Sequence, residues 1–291
     1  MFPPARIVVS VRSADSCSQG IEQAVELARR FNAEVILLHV LAPWSRMPPD
    51  ELELRRRAAD LMLERLVQSG SYFPIGKTVI EGDPVTATLR FVREQKADLL
   101  VMSCDPHGVL HLLLHGSMVE RVLHEAPCPV WFSPPSCRAF EGSFRVSAVL
   151  CAVDLRTDSE AVLRLGGLVS GHFGAKLVAA HVPPKVELVA GVWGLDPDVQ
   201  EQYEAAVRDE VLHVTPATAS AECYILRGDP VEQICSLAAR IHAGLLVIGG
   251  AHGSGRPGRF RMHASGIVRR APCPVLSVRW AAGQPVGTVA A

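Results

Sequence analysis

Three histidines in the first half of the chain have a spacing that metal ligands can have. His107, His111 and His115 follow one another at intervals of four residues, and Cys104 stands just before them. On a continuous helix they would share one face, as zinc-binding histidines can. Proline and glycine interrupt the stretch, and no carboxylate completes the set. The sequence therefore favours a polar stripe on a leucine-rich loop or at a dimer contact, with metal binding as the alternative.

A glycine pattern in the second half could bind a dinucleotide. Gly253, Gly255 and Gly258 fit Gly-x-Gly-x-x-Gly and follow a predicted strand. Pro257 and the neighbouring arginines, however, are a poor start for the helix that such a site requires. No acidic residue ends a following strand about 20 residues further on. These departures argue against a dinucleotide site.

The remaining polar candidates favour structure over catalysis. Asp83 and Asp229 could act as paired acids, but each precedes a proline at a predicted helix start, where a capping role is expected. Ser265 lies between Ala264 and Gly266 without the flanking pattern of a nucleophile elbow. Spacing alone indicates no catalytic triad or dyad.

Composition narrows the class of protein. The 291 residues are 48% hydrophobic with a net charge of −1, which argues against a general nucleic-acid binder and a disordered chain. There is no apolar run of the roughly 18 residues that a membrane helix needs, and the N-terminus has no signal-peptide pattern. The eight cysteines are scattered, and Cys128 and Cys273 are expected to be buried packing thiols. We therefore expect a cytoplasmic protein without nucleic-acid or membrane partners.

The chain contains the same unit twice. Gly82-Asp83-Pro84 returns as Gly228-Asp229-Pro230, and the Ala-Pro-Cys-Pro-Val of 126–130 returns at 271–275, so two distant anchors keep nearly the same separation. A repeat of this length is a folding unit with its own core. The predicted organisation is a domain at 1–135, a linker at 136–144, a second domain at 145–280 and a loose tail at 281–291.

Apolar strands alternate with helical patterns in each half. The predicted strands are 7–11, 34–40, 78–80, 99–102 and 130–132, then 149–153, 177–182, 223–226, 245–248 and 275–278. Helices are predicted to begin at the capping boxes of 16–19 and 157–160, at Asp50, Asp83, Asp196 and Asp229, and near Ser117. This alternation predicts α/β domains with mostly parallel five-stranded sheets and helices on both faces. Ligands bind such sheets beyond the carboxyl ends of the strands, where strand order reverses.

This order of strands, Gly-Asp-Pro turn, glycine loop and Ala-Pro-Cys-Pro-Val resembles the universal stress protein family over nearly the whole chain. The resemblance implies flavodoxin-like, Rossmann-like domains that are often dimeric, many of them ATP-binding. It also implies an Asp after the first strand that contacts the adenosine. The phosphates are expected to bind a motif of Gly-x-x-Gly followed, after nine further residues, by Gly-Ser or Gly-Thr. Glycines let backbone amides approach phosphate, and the helix opened by Gly-Ser favours anions.

The first half departs from this motif. It keeps Gly116-Ser117, but Ser103 and Pro106 replace the two earlier glycines, and Arg12 stands where the family has its Asp. Val40, which follows a histidine near the end of the second strand, matches a backbone contact to adenine. Gly116, Ser117 and Val40 are therefore only weak candidates for nucleotide binding.

The second half keeps the adenosine side of the motif. Asp154 follows Val153, Gly250 and Gly253 are present, and Val182 matches the adenine contact. The loop is two residues short, so counting from its two ends places either Arg261-Met262 or His263-Ala264 where the family has Gly-Ser. Arginines at 256, 259 and 261 either hold phosphate or form a solvated basic loop.

We therefore expect a tandem universal stress protein with a stress-response or regulatory role. Its second domain is expected to bind ATP, with ADP or AMP as alternatives and Mg only with the nucleotide, and with little or no catalysis. The competing hypotheses are a nucleotide-independent adaptor and a weak ATP hydrolase. The last strands of the two halves are expected to pair as an internal pseudo-dimer, and a homodimer is a further expectation. The nucleotide-binding residues predicted in the second domain are Val153, Asp154, Val182, Gly250, Gly253, Arg261, Met262 and His263.

Overall fold

All described strands run parallel to their neighbours within their own unit. The structure is a computed structural model, and it describes residues 2–42, 48–69, 73–104, 117–134, 137, 145–155, 159–183, 197–214, 216–250 and 260–278. The side chains of 15, 16, 69, 117, 197–200 and 260–262 lie outside the described part. The chain divides into two units, Met1–Cys137 and Arg138–Ala291.

The first unit contains a five-stranded sheet with the order β3-β2-β1-β4-β5. The strands are β1 (Arg6–Ser10), β2 (Glu34–Leu41), β3 (Ile75–Glu81), β4 (Leu99–Ser103) and β5 (Val130–Ser133). The helices are α1 (Ala14–Phe31), α2 (Pro49–Ser69), α3 (Pro84–Glu94) and α4 (Ser117–Glu125). Because parallel crossovers are right-handed, connections that run in opposite directions along the sheet lie on opposite faces.

The second unit repeats this topology with the order β10-β9-β6-β7-β8. Its strands are β6 (Ala148–Val153), β7 (Lys176–His181), β8 (Glu222–Ile225), β9 (Leu245–Gly249) and β10 (Val275–Val278). Its helices are α5 (Ser159–Phe173), α6 (Pro197–Leu212), α7 (Pro230–Arg240) and α8 (Phe260–Arg270), and a 3-10 turn spans Thr218–Ser220. The structure thus confirms the predicted pair of flavodoxin-like α/β domains.

The Gly-Asp-Pro signature is a turn into a helix in both units. Gly82 and Gly228 have φ angles of 146° and 127°, a region that side chains with a Cβ rarely adopt. The next residue caps the helix: Oδ1 of Asp83 accepts the amide of Thr86 at 2.9 Å, and Oδ1 of Asp229 accepts the amide of Glu232 at 2.9 Å. The capping interpretation of both aspartates is therefore confirmed.

Two helix starts differ from the prediction. α1 begins at Ala14, with Ser13 as an extended N-cap residue, and not at the capping box of 16–19. The chain reverses within a few residues of β1, and the helix begins as soon as the backbone has turned. α2 begins at Pro49, which leaves Asp50 inside the first turn. The predicted capping residues Thr157 and Asp196 lie outside the described residues.

The leucines of α2 are buried only in part. Leu63 is fully buried, but Leu54 and Leu61 are 68% and 54% exposed. The helix lies over the edge of the sheet against β2 and β3, where only a narrow stripe is covered. Salt bridges from Lys77 to Asp60 and Glu64 connect its polar side to β3.

The predicted packing cysteines differ in detail. Cys273 is buried, with 1% exposure. Cys128 is half-buried as a residue, and burial raises the pKa of its thiol to about 12. The Cys128 thiol therefore stays protonated, and both cysteines pack as small apolar groups. Among the described helices, none combines the length and the apolar character required to cross a membrane.

Candidate functional site

The strand order of the second unit reverses between β6 and β9. The chain runs from β6 out to β7 and β8, then returns to β9 and β10 on the other side of β6. Such a reversal leaves a crevice at the carboxyl ends of the two central strands. Asp154 directly follows β6 and Gly250 directly follows β9, so these two predicted residues flank the crevice.

The turn after β6 holds the Asp154 side chain. Its Oδ1 accepts a hydrogen bond from the hydroxyl of Ser159 at 3.0 Å, and Ser159 is the first residue of α5. Leu155 has a φ of 59°, a left-handed conformation that is uncommon for a residue with a branched side chain. Backbone strain of this kind is frequent where a turn must present a functional group.

A buried histidine contacts the backbone just before Asp154. Nδ1 of His181, at the end of β7, lies 2.9 Å from the carbonyl oxygen of Val153, and its Nε2 lies 3.0 Å from the hydroxyl of Tyr203 in α6. His181 is only 3% exposed. Neither His181 nor Tyr203 was predicted to have a role. The sequence signal that could have indicated His181 is its position before Val182, since His39 stands in the same way before Val40.

Gly250 and Val182 lie at strand ends beside Asp154. Gly250 is buried, and its amide donates to the carbonyl oxygen of Val278 at 2.6 Å. That amide is therefore already hydrogen-bonded within the sheet. The glycine can still let a ligand approach the backbone closely, because it has no Cβ. Val182 follows β7 and is half-buried. Gly253 lies outside the described residues.

The residues predicted to replace Gly-Ser lie in the first turn of α8. Arg261, Met262 and His263 follow Phe260, the first residue of this helix. The helix itself was not predicted from the sequence. His263 is half-buried. Gly266 allows α8 to approach α7 closely, since a Cβ there would lie 2.9 Å from Cγ2 of Val231. Arg256 and Arg259 lie outside the described residues. The N-terminus of a helix favours an anion.

An open cavity of about 440 Å³ lies beside the same turn. It is lined by the start of α5 and the end of α6. Its lining includes Leu155, Ser159 and Leu163 on one side and Glu210 and Val211 on the other. Residues at both ends of α6 therefore lie close to the segment that carries Asp154.

The first unit has the same backbone arrangement with different side chains. Nδ1 of His39 lies 2.8 Å from the carbonyl oxygen of Val11, as His181 does from Val153, and both pairs are 28 residues apart in sequence. Arg12, which is exposed, is therefore the structural counterpart of Asp154.

The weaker first-unit candidates stay a prediction. Val40 lies half-buried in β2, Ser117 begins α4, and Gly116 is not described. The histidine series 107, 111 and 115 lies outside the described residues as well. Within the described residues there is no group of three or more side chains that could hold a metal ion.

Comparison with known proteins agrees with this architecture. The model of the universal stress protein family matches residues 4–134 and again 146–279. Universal stress protein MJ0531 of Methanocaldococcus jannaschii is 29% identical over 134 residues, covering 43% of this chain and 79% of that protein. The crystal structure of a universal stress protein from Archaeoglobus fulgidus superposes with a TM-score of 0.70 at 18% identity, over 96% of this chain and 97% of that one. A universal stress protein family structure from Arabidopsis thaliana with AMP bound matches 44% of this chain and 90% of that one at 23% identity, with a TM-score of 0.34.

Proposed function

Because the chain belongs to the universal stress protein family, we propose that its second half binds an adenine nucleotide, ATP in the first instance. The observation that supports this proposal is the position of Asp154 and Gly250, which directly follow the two strands that flank the crevice. The equivalent position in the first half is occupied by Arg12, whose positive charge cannot accept hydrogen bonds from a nucleoside.

Each proposed contact follows from the chemistry of its residue. The carboxylate of Asp154 has about four acceptor sites, so it can accept from ribose hydroxyls or the adenine amino group while it also accepts from Ser159. Gly250 admits the ligand close to the backbone, and Val153 and Val182 would line the adenine. The start of α8 would favour the phosphates, assisted by Gly253 and by the segment from Arg261 through Met262 to His263. Magnesium would arrive only with the nucleotide.

We propose a regulatory or stress-adaptation role in which the bound nucleotide is held and not turned over. Calorimetric titration of the full chain with ATP, ADP and AMP tests the binding step. An absence of heat at millimolar nucleotide would favour an adaptor that acts through protein contacts alone. Phosphate release that disappears in Asp154→Ala would instead support a weak hydrolase.

The repeat supplies a matched control for this titration. Asp154→Ala removes charge-assisted hydrogen bonds worth about 1.5–3 kcal/mol each, so its affinity should fall by about 10- to 100-fold. Arg12→Ala changes the equivalent position of the first half and should leave the affinity within about twofold. Equal effects of the two substitutions would show that the second half is the wrong choice.

A further inference from the structure

Two hydrogen bonds, one buried and one partly buried, lead from α6 to the residue before Asp154. We propose that His181 and Tyr203 are positioning residues of the nucleotide site, and that through them the site controls the stability of α6. This inference rests on the proposed binding of nucleotide beside Asp154. Neither residue needs to touch the ligand.

The direction of each hydrogen bond follows from the chemistry of the groups. The carbonyl oxygen of Val153 can only accept, so Nδ1 of His181 must carry the proton in the 2.9 Å contact. In the neutral ring Nε2 is then an acceptor, and it receives the hydroxyl of Tyr203 at 3.0 Å. The carbonyl of Val153 thus selects the tautomer, and the tyrosine hydroxyl stabilises it by donating to the free ring nitrogen.

This arrangement fixes the orientation of Asp154 through the backbone. The peptide bond is planar, so a fixed carbonyl of Val153 also fixes the direction of the Asp154 amide and the position of its Cα. The hydroxyl of Ser159 holds the side chain from the α5 side. Asp154 is therefore held at its backbone by β7 and α6, and at its carboxylate by α5.

The first unit shows which part of this chain belongs to the fold. His39 makes the same contact with Val11, although Arg12 follows there. The histidine is therefore part of the duplicated strand pair. α2, which occupies the place of α6, contains no tyrosine in its sequence. Tyr203 occurs in the half that also carries Asp154.

The link also connects the site to α6 as a whole. Tyr203 holds this helix near its first turns, and Val211 near its last turn lines the cavity that Leu155 and Ser159 line from the other side. A ligand that stabilises Asp154 in one orientation must by linkage also stabilise the helix contacts that favour that orientation. Bound nucleotide is therefore expected to protect α6 from opening.

The test uses Tyr203→Phe in the full chain, because this change removes one hydroxyl and keeps the ring. Loss of this partly buried hydrogen bond should weaken ATP binding by about three- to tenfold in calorimetry. Tyr224→Phe is the matched control, since that hydroxyl makes an exposed hydrogen bond to Glu222 on β8. It should bind ATP as the wild type does.

Two further readouts separate positioning from general stability. In the wild type, ATP should slow hydrogen exchange of the α6 amides and shift the 15N resonances of the His181 ring. Both responses should be reduced in Tyr203→Phe at saturating ATP. His181→Asn, which keeps an N–H donor but cannot reach the tyrosine, should show the same loss, and combining it with Tyr203→Phe should add little.

The outcomes separate this inference from the proposed function. If the wild type binds ATP and depends on Asp154, but Tyr203→Phe matches it in affinity and in α6 protection, the positioning role is refuted and the function stands. If the wild type gives no heat with ATP, both proposals are refuted.

Discussion

Replacing Gly166 with Ala should destabilise the second unit, against the usual preference of helices for alanine. Gly166 lies in α5 where the helix crosses β6. A Cβ at this position would overlap Sγ of Cys151, and the next neighbour, Cδ1 of Leu177, would be 3.4 Å away. Cys151 is fully buried, and burial raises the pKa of its thiol to about 12. The neutral sulfur is therefore enclosed and has little room to move.

The magnitude follows from two opposing effects. Alanine in a helix interior gains about 1 kcal/mol over glycine, whereas forcing extra atoms into a packed core costs about 1–3 kcal/mol. The overlap with a sulfur on a central strand places Gly166→Ala toward the upper end of that cost. We expect a net loss of about 1–2 kcal/mol, or roughly 2–8 °C in the melting temperature of a unit of this size.

The same helix provides the control. A Cβ on Gly171 would meet nothing within 4 Å, so Gly171→Ala should raise stability by about 0.5–1 kcal/mol. A second control removes the obstacle: without Sγ, the nearest atom of residue 151 is its Cβ at 3.9 Å, which is ordinary contact. Gly166→Ala should therefore be neutral or stabilising in a Cys151→Ala background.

Urea unfolding of the wild type, Gly166→Ala, Cys151→Ala and the double variant, followed by circular dichroism, gives the coupling free energy between residues 166 and 151. We expect a coupling free energy of about 1–2 kcal/mol, with Cys151→Ala reducing the destabilisation caused by Gly166→Ala. The reasoning is refuted if Gly166→Ala is as stable as Gly171→Ala, or if Cys151→Ala fails to rescue it. Because α5 carries Ser159, a helix displaced by Gly166→Ala should also weaken ATP binding.

Two other predictions concern α3. Asp83→Ala removes the cap and the contact with Arg121 and should cost about 0.5–2 kcal/mol at pH 7. Hydrogen bonds from Thr86 lower the pKa of Asp83, so this contribution is present above the unfolded pKa of about 3.9 and is lost as pH falls through the lower folded pKa. Urea titrations should therefore show the difference shrinking below about pH 4, and an undiminished gap at pH 2 would contradict it. Thr88 is 1% exposed and its hydroxyl has no partner among the described residues, so Thr88→Val should stabilise by up to about 1 kcal/mol; a loss of that size in urea unfolding would mean that the hydroxyl is satisfied.

Most of the fold could be predicted from local sequence patterns. The strands are continuous apolar runs, as buried parallel strands must be, and the Gly-Asp-Pro turns combine three residues whose preferences all require the same geometry. The weaker predictions were those that depend on what an element packs against. The exposed Leu54 and Leu61 show that a leucine pattern does not reveal how much of a helix the sheet can cover.

The site was less predictable because it is assembled from distant segments. The position of Asp154 could be inferred from the end of its strand. Its link to Tyr203, by contrast, passes through His181, which is 22 residues from the tyrosine in sequence, and no periodicity reports such a contact. The amide of Gly250 was expected to face a ligand, but it bonds to Val278 across neighbouring strands. The identity of both partners depends on strand order, which the residues of one element do not encode.

The two halves share their fold and differ in the side chain at one strand end. Residues that satisfy backbone groups or set turn geometry occur in both halves, as His39 and His181 or Asp83 and Asp229 do. Arg12 is exposed, so its side chain costs little folding free energy where the other half has Asp154. The shared features are those that stability requires, whereas the residue at this strand end is not constrained by the fold. The difference between Arg12 and Asp154 is for this reason better evidence about ligand binding than the fold that the halves have in common.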